Sequence, residues 1–183
     1  MKKLLALVLA FVMVFSFAAC GEKNDAKTAL NKALTAIKNF DEEGIEKYFI
    51  DAELTEEDLK EEGAEQAIAI FSTFSWKITS CEEEEDRAVA QVDLTCVSLA
   101  DIMTDLVAEM MSKMLDGSLG EADVEAYTMK RFGELIKDSE TKTVTQNIEF
   151  ILEKVDGEWK VSNPETIMTV LTSGLEGIFG DEK

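Results

Sequence analysis

Val144-Thr145-Gln146-Asn147-Ile148-Glu149-Phe150-Ile151-Leu152-Glu153-Lys154-Val155-Asp156-Gly157-Glu158-Trp159-Lys160-Val161 is the stretch that decides the fold. Val144, Ile148, Phe150 and Leu152 alternate with Thr145, Asn147, Glu149 and Glu153, the period-two pattern of a strand with one dry face. Asp156-Gly157 is the strongest short hairpin signal, because a type I′ turn needs positive φ at both central residues. A two-residue loop sets Val155 opposite Glu158, Lys154 opposite Trp159, Glu153 opposite Lys160 and Leu152 opposite Val161. Phe150, Leu152, Trp159 and Val161 then share one face, and Glu153 meets Lys160 on the other as an opposite-charge pair. A slip of one residue would turn every apolar side chain outward, so turn and pattern fix the same register.

A second hairpin lies upstream. Trp76, Ile78 and Ser80 alternate with Lys77, Thr79 and Cys81, and Ala88, Ala90, Val92, Leu94 and Cys96 alternate with more polar neighbours. The acidic run Glu82–Asp86 reads as the loop between them. Alternation places Cys96 with Val92 and Leu94, and Cys81 on the face opposite Trp76 and Ile78. The two thiols then point to opposite sides at opposite ends of the hairpin. A disulfide needs Cα atoms within about 7 Å, so free thiols are expected.

The rest is helical. Leu30, Ala33, Leu34, Ile37 and Phe40 follow helical spacing over residues 26–40, and a short helix over 41–50 turns Ile45, Tyr48 and Phe49 inward. Thr55-Glu56-Glu57-Asp58 resembles a capping box that opens a third helix, with Leu59, Ala67, Ile70, Phe71 and Phe74 as its apolar face. Between the hairpins, residues 99–115 carry a broad stripe of Ile102, Met103, Leu106, Val107, Met110, Met111, Met114 and Leu115, with Asp101, Asp105 and Glu109 on the wet side. That stripe is either core or an adaptable apolar groove, since methionine packs against irregular partners. Gly117–Gly120 is a turn, and a helix over 121–137 follows with Val124, Phe132, Leu135 and Ile136 apolar. Asn163 is placed to cap a last helix with Pro164 at its first position and Ile167, Leu171, Leu175 and Phe179 on its buried side. The predicted architecture is α+β. N-terminal helices pack on a curved antiparallel sheet of two hairpins, with a helical insert at 99–138 and a C-terminal helix, all in one domain over 26–183.

The N-terminus carries a different message. Lys2 and Lys3 precede an uncharged apolar run from Leu4 to Phe17, and Ala18-Ala19-Cys20 follows. A basic start, a short apolar stretch and small residues before the cut describe a signal peptide over 1–19; a spanning helix needs about 20 apolar residues. Ala18-Ala19-Cys20 resembles the lipobox of bacterial lipoproteins, with Phe17 where leucine is usual. The resemblance implies cleavage before Cys20, diacylglycerol bearing fatty-acyl chains such as palmitate on its thiol, and a lipidated tether over 20–25. Two acyl chains anchor stably where one is marginal. The expected location is the outer face of the bacterial cytoplasmic membrane.

Composition narrows the function. The chain has 18 basic and 38 acidic residues, no histidine and a net charge of -20, which becomes -22 once Lys2 and Lys3 leave with the signal. Such a surface repels phosphate backbones, so nucleic-acid binding is not expected. Without histidine the commonest general base, nucleophile activator and metal ligand are missing. The run Glu82–Asp86 lacks the alternating oxygen ligands and central glycine of a calcium loop, and no metal or cofactor is expected.

Asp156-Gly157-Glu158-Trp159-Lys160-Val161 resembles the last hairpin of small extracytoplasmic lipoproteins of Gram-positive bacteria with a cystatin-like, or nuclear-transport-factor-two-like, domain. The insert at 99–138 and the terminal helix are additions to that fold. The resemblance implies a sheet bent around a helix into a cone with an apolar pocket. Some members are enzymes with Asp/His or Tyr/Asp arrangements, and none of these carries over, because histidine is absent and the inward strand positions are apolar. The candidate pocket residues are Phe71, Phe74, Trp76, Ile78, Leu94, Phe150 and Trp159. The expectation is a tethered, non-enzymatic binding or interaction module for an apolar ligand or peptide. The alternatives are an accessory subunit docking on another envelope protein and, last, a carboxylate-based enzyme.

Overall fold

The computed structural model describes residues 25–52, 64–120, 123–138, 142–173 and 175. The signal peptide, Cys20, the capping box at Thr55 with Leu59, and Phe179 lie outside them. Within them the order is α1 (Ala26–Asn39), α2 (Glu42–Tyr48), α3 (Ala64–Ser72), β1 (Ser75–Glu84), β2 (Arg87–Val97), α4 (Leu99–Leu115), α5 (Val124–Lys137), β3 (Thr143–Val155), β4 (Glu158–Val161) and α6 (Thr166–Leu171). The fold is α+β, and the four strands form one antiparallel sheet in the order β1-β2-β3-β4.

The β3–β4 hairpin has the expected register, Leu152 opposite Val161 through Val155 opposite Glu158. Asp156 and Gly157 sit at φ 52 and 85, the doubly positive turn that the pair was read for. Lys160 lies across from Glu153, and its Nζ donates to the Glu46 carbonyl at 3.2 Å.

One sheet face is dry. Ala88, Ala90, Val92, Leu94, Cys96, Ile148, Phe150, Leu152, Trp159 and Val161 are buried there beneath Leu30, Ala33 and Leu34 of α1 and Ile167, Val170 and Leu171 of α6. The other face is polar. Gln91 donates to Glu149 at 2.9 Å, Asn147 donates to Asp93 at 2.7 Å, and the Thr95 and Thr145 hydroxyls pair at 2.6 Å. A one-sided antiparallel sheet of this kind leaves its wet face to solvent.

Three local readings are corrected. First, β1 runs through Glu84, so the turn is only Glu85-Asp86 and Glu82–Glu84 are strand. Second, the register shifts between Ile78 and Ser80, with Thr79 as the extra residue of a β-bulge. The bulge reverses parity, so Cys81 falls opposite Ala90 on the core face instead of the far one. Both thiols are nevertheless free. Six residues of β2 separate the level of Cys81 from Cys96, about 20 Å at strand rise, far beyond bridging distance. Third, Asn163 does not cap α6. Its Oδ1 accepts from the Ile151 amide at 2.8 Å and its Nδ2 donates to the Glu149 carbonyl at 3.0 Å, so the side chain prolongs β4 along β3.

The bulge has a second effect. It brings Glu83 to the core side, where its Oε1 accepts from the Ala26 amide at 2.9 Å, while Asp25 accepts from Thr28 at 2.7 Å. The N-terminus of α1, where the preceding chain arrives, is thus fixed beside the β1–β2 turn by two carboxylates suited to the positive end of the helix.

The thiols give a chemical check. Burial pushes Cys96 up to about 11 and also raises Cys81, with Glu83 nearby adding to the rise. The thiolate is the reactive form. At pH 8 an aromatic disulfide reagent should label half-buried Cys81 first and Cys96 only as fast as the chain unfolds. Equal rates for both, or a native mass two hydrogens light, would contradict the assignment.

Candidate ligand-binding cavity

The seven residues expected to line a pocket are for the most part packed in the core. Phe74, Leu94 and Phe150 are fully buried, Trp159 is nearly so, and α1 fills the volume over the sheet. Trp76 and Ile78 are half-buried at the edge, and Trp76 Nε1 donates to Asn31 Oδ1 at 2.9 Å on α1. Helix packs directly on the sheet where the resemblance implied a pocket. Phe71, of the seven, lines a cavity elsewhere.

That cavity, of about 250 Å³, is walled by Ile37 and Phe40 at the end of α1, Ile45 of α2, Phe71 of α3, and Pro164, Ile167 and Met168 leading into and along α6. Helices from the start of the described chain and α6 near its end line it together. Gly44 lets α2 come this near, since a Cβ there would lie 2.7 Å from Ala36 Cβ and 2.6 Å from Asp41 Oδ2. Phe40 ends α1 at φ 51 in the left-handed region, a position that usually falls to glycine. Its ring meets Phe71 edge-on with centroids 5.4 Å apart, and Phe71 meets Phe74 at 5.0 Å. An aromatic ring is therefore held in a disfavoured backbone conformation, and that ring is cavity wall. Disfavoured conformations persist where the surroundings enforce them, often at binding sites.

Among the described residues the cavity walls bear no ionisable side chain. Such a space can take an apolar group by burial and shape, and has nothing with which to move a proton. Ligand pockets for drug-sized molecules run to roughly 300–1,000 Å³, so this one suits a single ring or the end of an alkyl chain. A larger hollow of about 580 Å³ between the β1–β2 turn and β3 is walled by Glu84, Glu85, Asp86, Arg87, Glu153 and Lys154, charged side chains throughout. Among the described residues no group of three or more His, Cys, Asp or Glu is arranged to hold a metal ion.

Apart from the two thiols and Lys142, the described ionisable groups with shifted behaviour lie on the helical insert. Tyr127 donates its hydroxyl to Glu109, and Arg131 Nε contacts Glu109 Oε2 at 2.7 Å while its Nη1 reaches Glu134 at 3.1 Å. Glu109 thus faces α5 and not open water as its spacing suggested. The Tyr127 and Arg131 hydrogen bonds hold the Glu109 carboxyl below its usual 4.5, and the Glu109 bond holds Tyr127 above its usual 10.0. A carboxylate depressed in this way is a poor proton donor or base near neutrality. The cluster staples α4 to α5. A depressed carboxylate contributes stability above its unfolded pKa and loses it as pH falls through the folded value. A raised phenol contributes below its unfolded pKa and loses it as pH rises. Amide-exchange protection of α5 should therefore fall below about pH 4 and again above about pH 10. Glu109→Gln should remove the acid limb. An acid limb that survives the substitution would contradict the staple.

No protein-family model and no curated protein matches the chain. Among the described residues no helix is long and apolar enough to cross a membrane.

Proposed function

We propose that this chain is an extracytoplasmic lipoprotein, held on the outer face of the bacterial cytoplasmic membrane by lipid on Cys20, that binds an apolar ligand or peptide through one apolar group seated in the cavity of Ile37, Phe40, Ile45, Phe71, Pro164, Ile167 and Met168. The observation that carries the reading is a concave space whose walls, among the described residues, are apolar side chains, in an otherwise acidic chain. The placement agrees with it. The tether meets α1 at Ala26, and the cavity lies at the other end of that helix, about 20 Å away at helical rise. The open rim includes Met168, which is 52% exposed.

A carboxylate-based enzyme is the weaker reading, because the carboxyl groups with resolved shifts are depressed and none borders the cavity. The test is native mass spectrometry of the whole chain extracted from its host membrane. The wild type should carry an adduct or partner beyond the lipid on Cys20. Met168→Trp, which fills the rim from an exposed position, should lose it. An adduct retained in full by that variant would overturn the cavity as the site.

A further inference from the structure

The two edges of the sheet differ. At one, short β4 is covered: Val161 bridges to Phe49, and the Ile50 amide donates to the Val161 carbonyl at 2.9 Å. At the other, among the described residues no backbone pairs with the outer side of β1. Glu84 and Arg87 close the two-residue turn as a hydrogen-bonded pair, and bonding towards β2 alternates from there. Glu84, Glu82 and Ser80 therefore turn their N–H and C=O inward, as do Lys77 and Ser75 beyond the bulge at Thr79. Trp76, Ile78, Cys81 and Glu83 turn theirs outward. The bulge makes the middle interval of that series one residue longer than the outer two. An ordinary strand, with a constant interval, matches one half of this edge and misses the other.

We propose that the β1 edge pairs with β1 of a second copy of this chain, antiparallel about a two-fold axis, with Trp76 opposite Glu83 and Ile78 opposite Cys81 of the other copy. In that register every outward residue meets an outward residue, because the extra residue of one strand lies against that of the other. A bulge ordinarily guards an edge against stray strands, and here it admits a strand with the same irregularity. The side chains agree with the backbone. Ile78 meets Cys81 on the core side, and Lys77 meets Glu82 on the wet side as an opposite-charge pair. Lys77 and Glu82 are exposed, and among the described residues neither forms an ion pair within its own chain. The charge of -20 on each chain does not oppose this contact locally. The stretch from Trp76 to Glu83 keeps the acidic strand ends of the two copies about 20 Å apart, well beyond the screening length of about 8 Å. A two-fold between antiparallel strands stands normal to the sheet and closes the assembly at two copies. Both core faces then look the same way, and with them the two Ala26 amides held by Glu83, as two lipid anchors in one bilayer require.

Sedimentation equilibrium of the whole chain in density-matched detergent, with micelles in excess, tests this, and thermal melting checks that each variant folds. The wild type should dimerise, and the amides of Trp76, Ile78, Cys81 and Glu83 should gain exchange protection as it does. Lys77→Glu and Glu82→Lys each turn two attractive pairs into two repulsive ones and should weaken the dimer about tenfold. The two substitutions together should restore it. Within one strand Lys77 and Glu82 stand about 16 Å apart, so recovery reports a contact between copies. Met168→Trp should leave dimerisation unchanged, which separates this edge from the cavity. A chain that is monomeric at about 0.1 mM, alone or holding a strand of another protein, would overturn the proposal. So would a dimer that leaves those four amides unprotected, or a double reversal no tighter than the single ones.

Discussion

Replacing Cys20 with alanine should release the chain from the membrane almost completely. The thiol of Cys20 is the proposed attachment atom, and Ala18-Ala19 before it supplies the small residues of the processing site. Among the described residues no helix can span a bilayer, and a net charge of -20 disfavours adsorption to anionic lipid. Nothing else in the proposed account would hold the chain at the surface. Fractionation after labelling with radioactive palmitate checks it: the wild type should pellet with label, and Cys20→Ala should appear unlabelled in the soluble fraction. A variant that still pellets with label would put the anchor elsewhere.

Phe150→Ala should be the most damaging single truncation in the folded part. Phe150 has no exposed surface, lies opposite Ala90 in the middle of the sheet, and belongs to the main core beneath α1 and α6. Losing a buried phenylalanine side chain costs about 3–5 kcal/mol, because the neighbours cannot collapse into the space. A typical domain has only about 5–15 kcal/mol in total. Val155→Ala on the same strand, at a residue 39% exposed, should change stability by no more than about 0.5 kcal/mol. Urea midpoints at unchanged m-value give the comparison. Equal losses for the two variants would refute the assignment of the core face.

The sequence was legible where local rules agreed with one another. Between Leu152 and Val161 the turn residues, the alternation and the charge pair all specify one register, and the structure has it. The first hairpin was legible only up to Ile78. One extra residue at Thr79 reverses parity, and alternation cannot see an insertion. A trace of it existed: unbroken alternation put polar Ser80 inside and Cys81 outside, and the bulge puts Cys81 inside with Glu83 two residues on. The broad stripe of α4 told that the helix was apolar, but not which part would be covered, since that depends on α5 packing against one side only. The cavity was illegible for a tertiary reason. Its walls come from α1, α2, α3 and α6, and only the fold brings Phe40 beside Phe71 and Ile167. The one local signal was a phenylalanine at a helix end where glycine is usual.

The central claim is that the cavity between α1, α2, α3 and α6 accepts an apolar group, and toluene titration followed by methyl NMR tests it most directly. The methyl signals of Ile37, Ile45, Ile167 and Met168 should shift together and saturate at one equivalent bound, with Met111 and Met114 unmoved and the response lost in Met168→Trp. Absence of any saturable shift at those four residues, or shifts of equal size at Met111 and Met114, would contradict it.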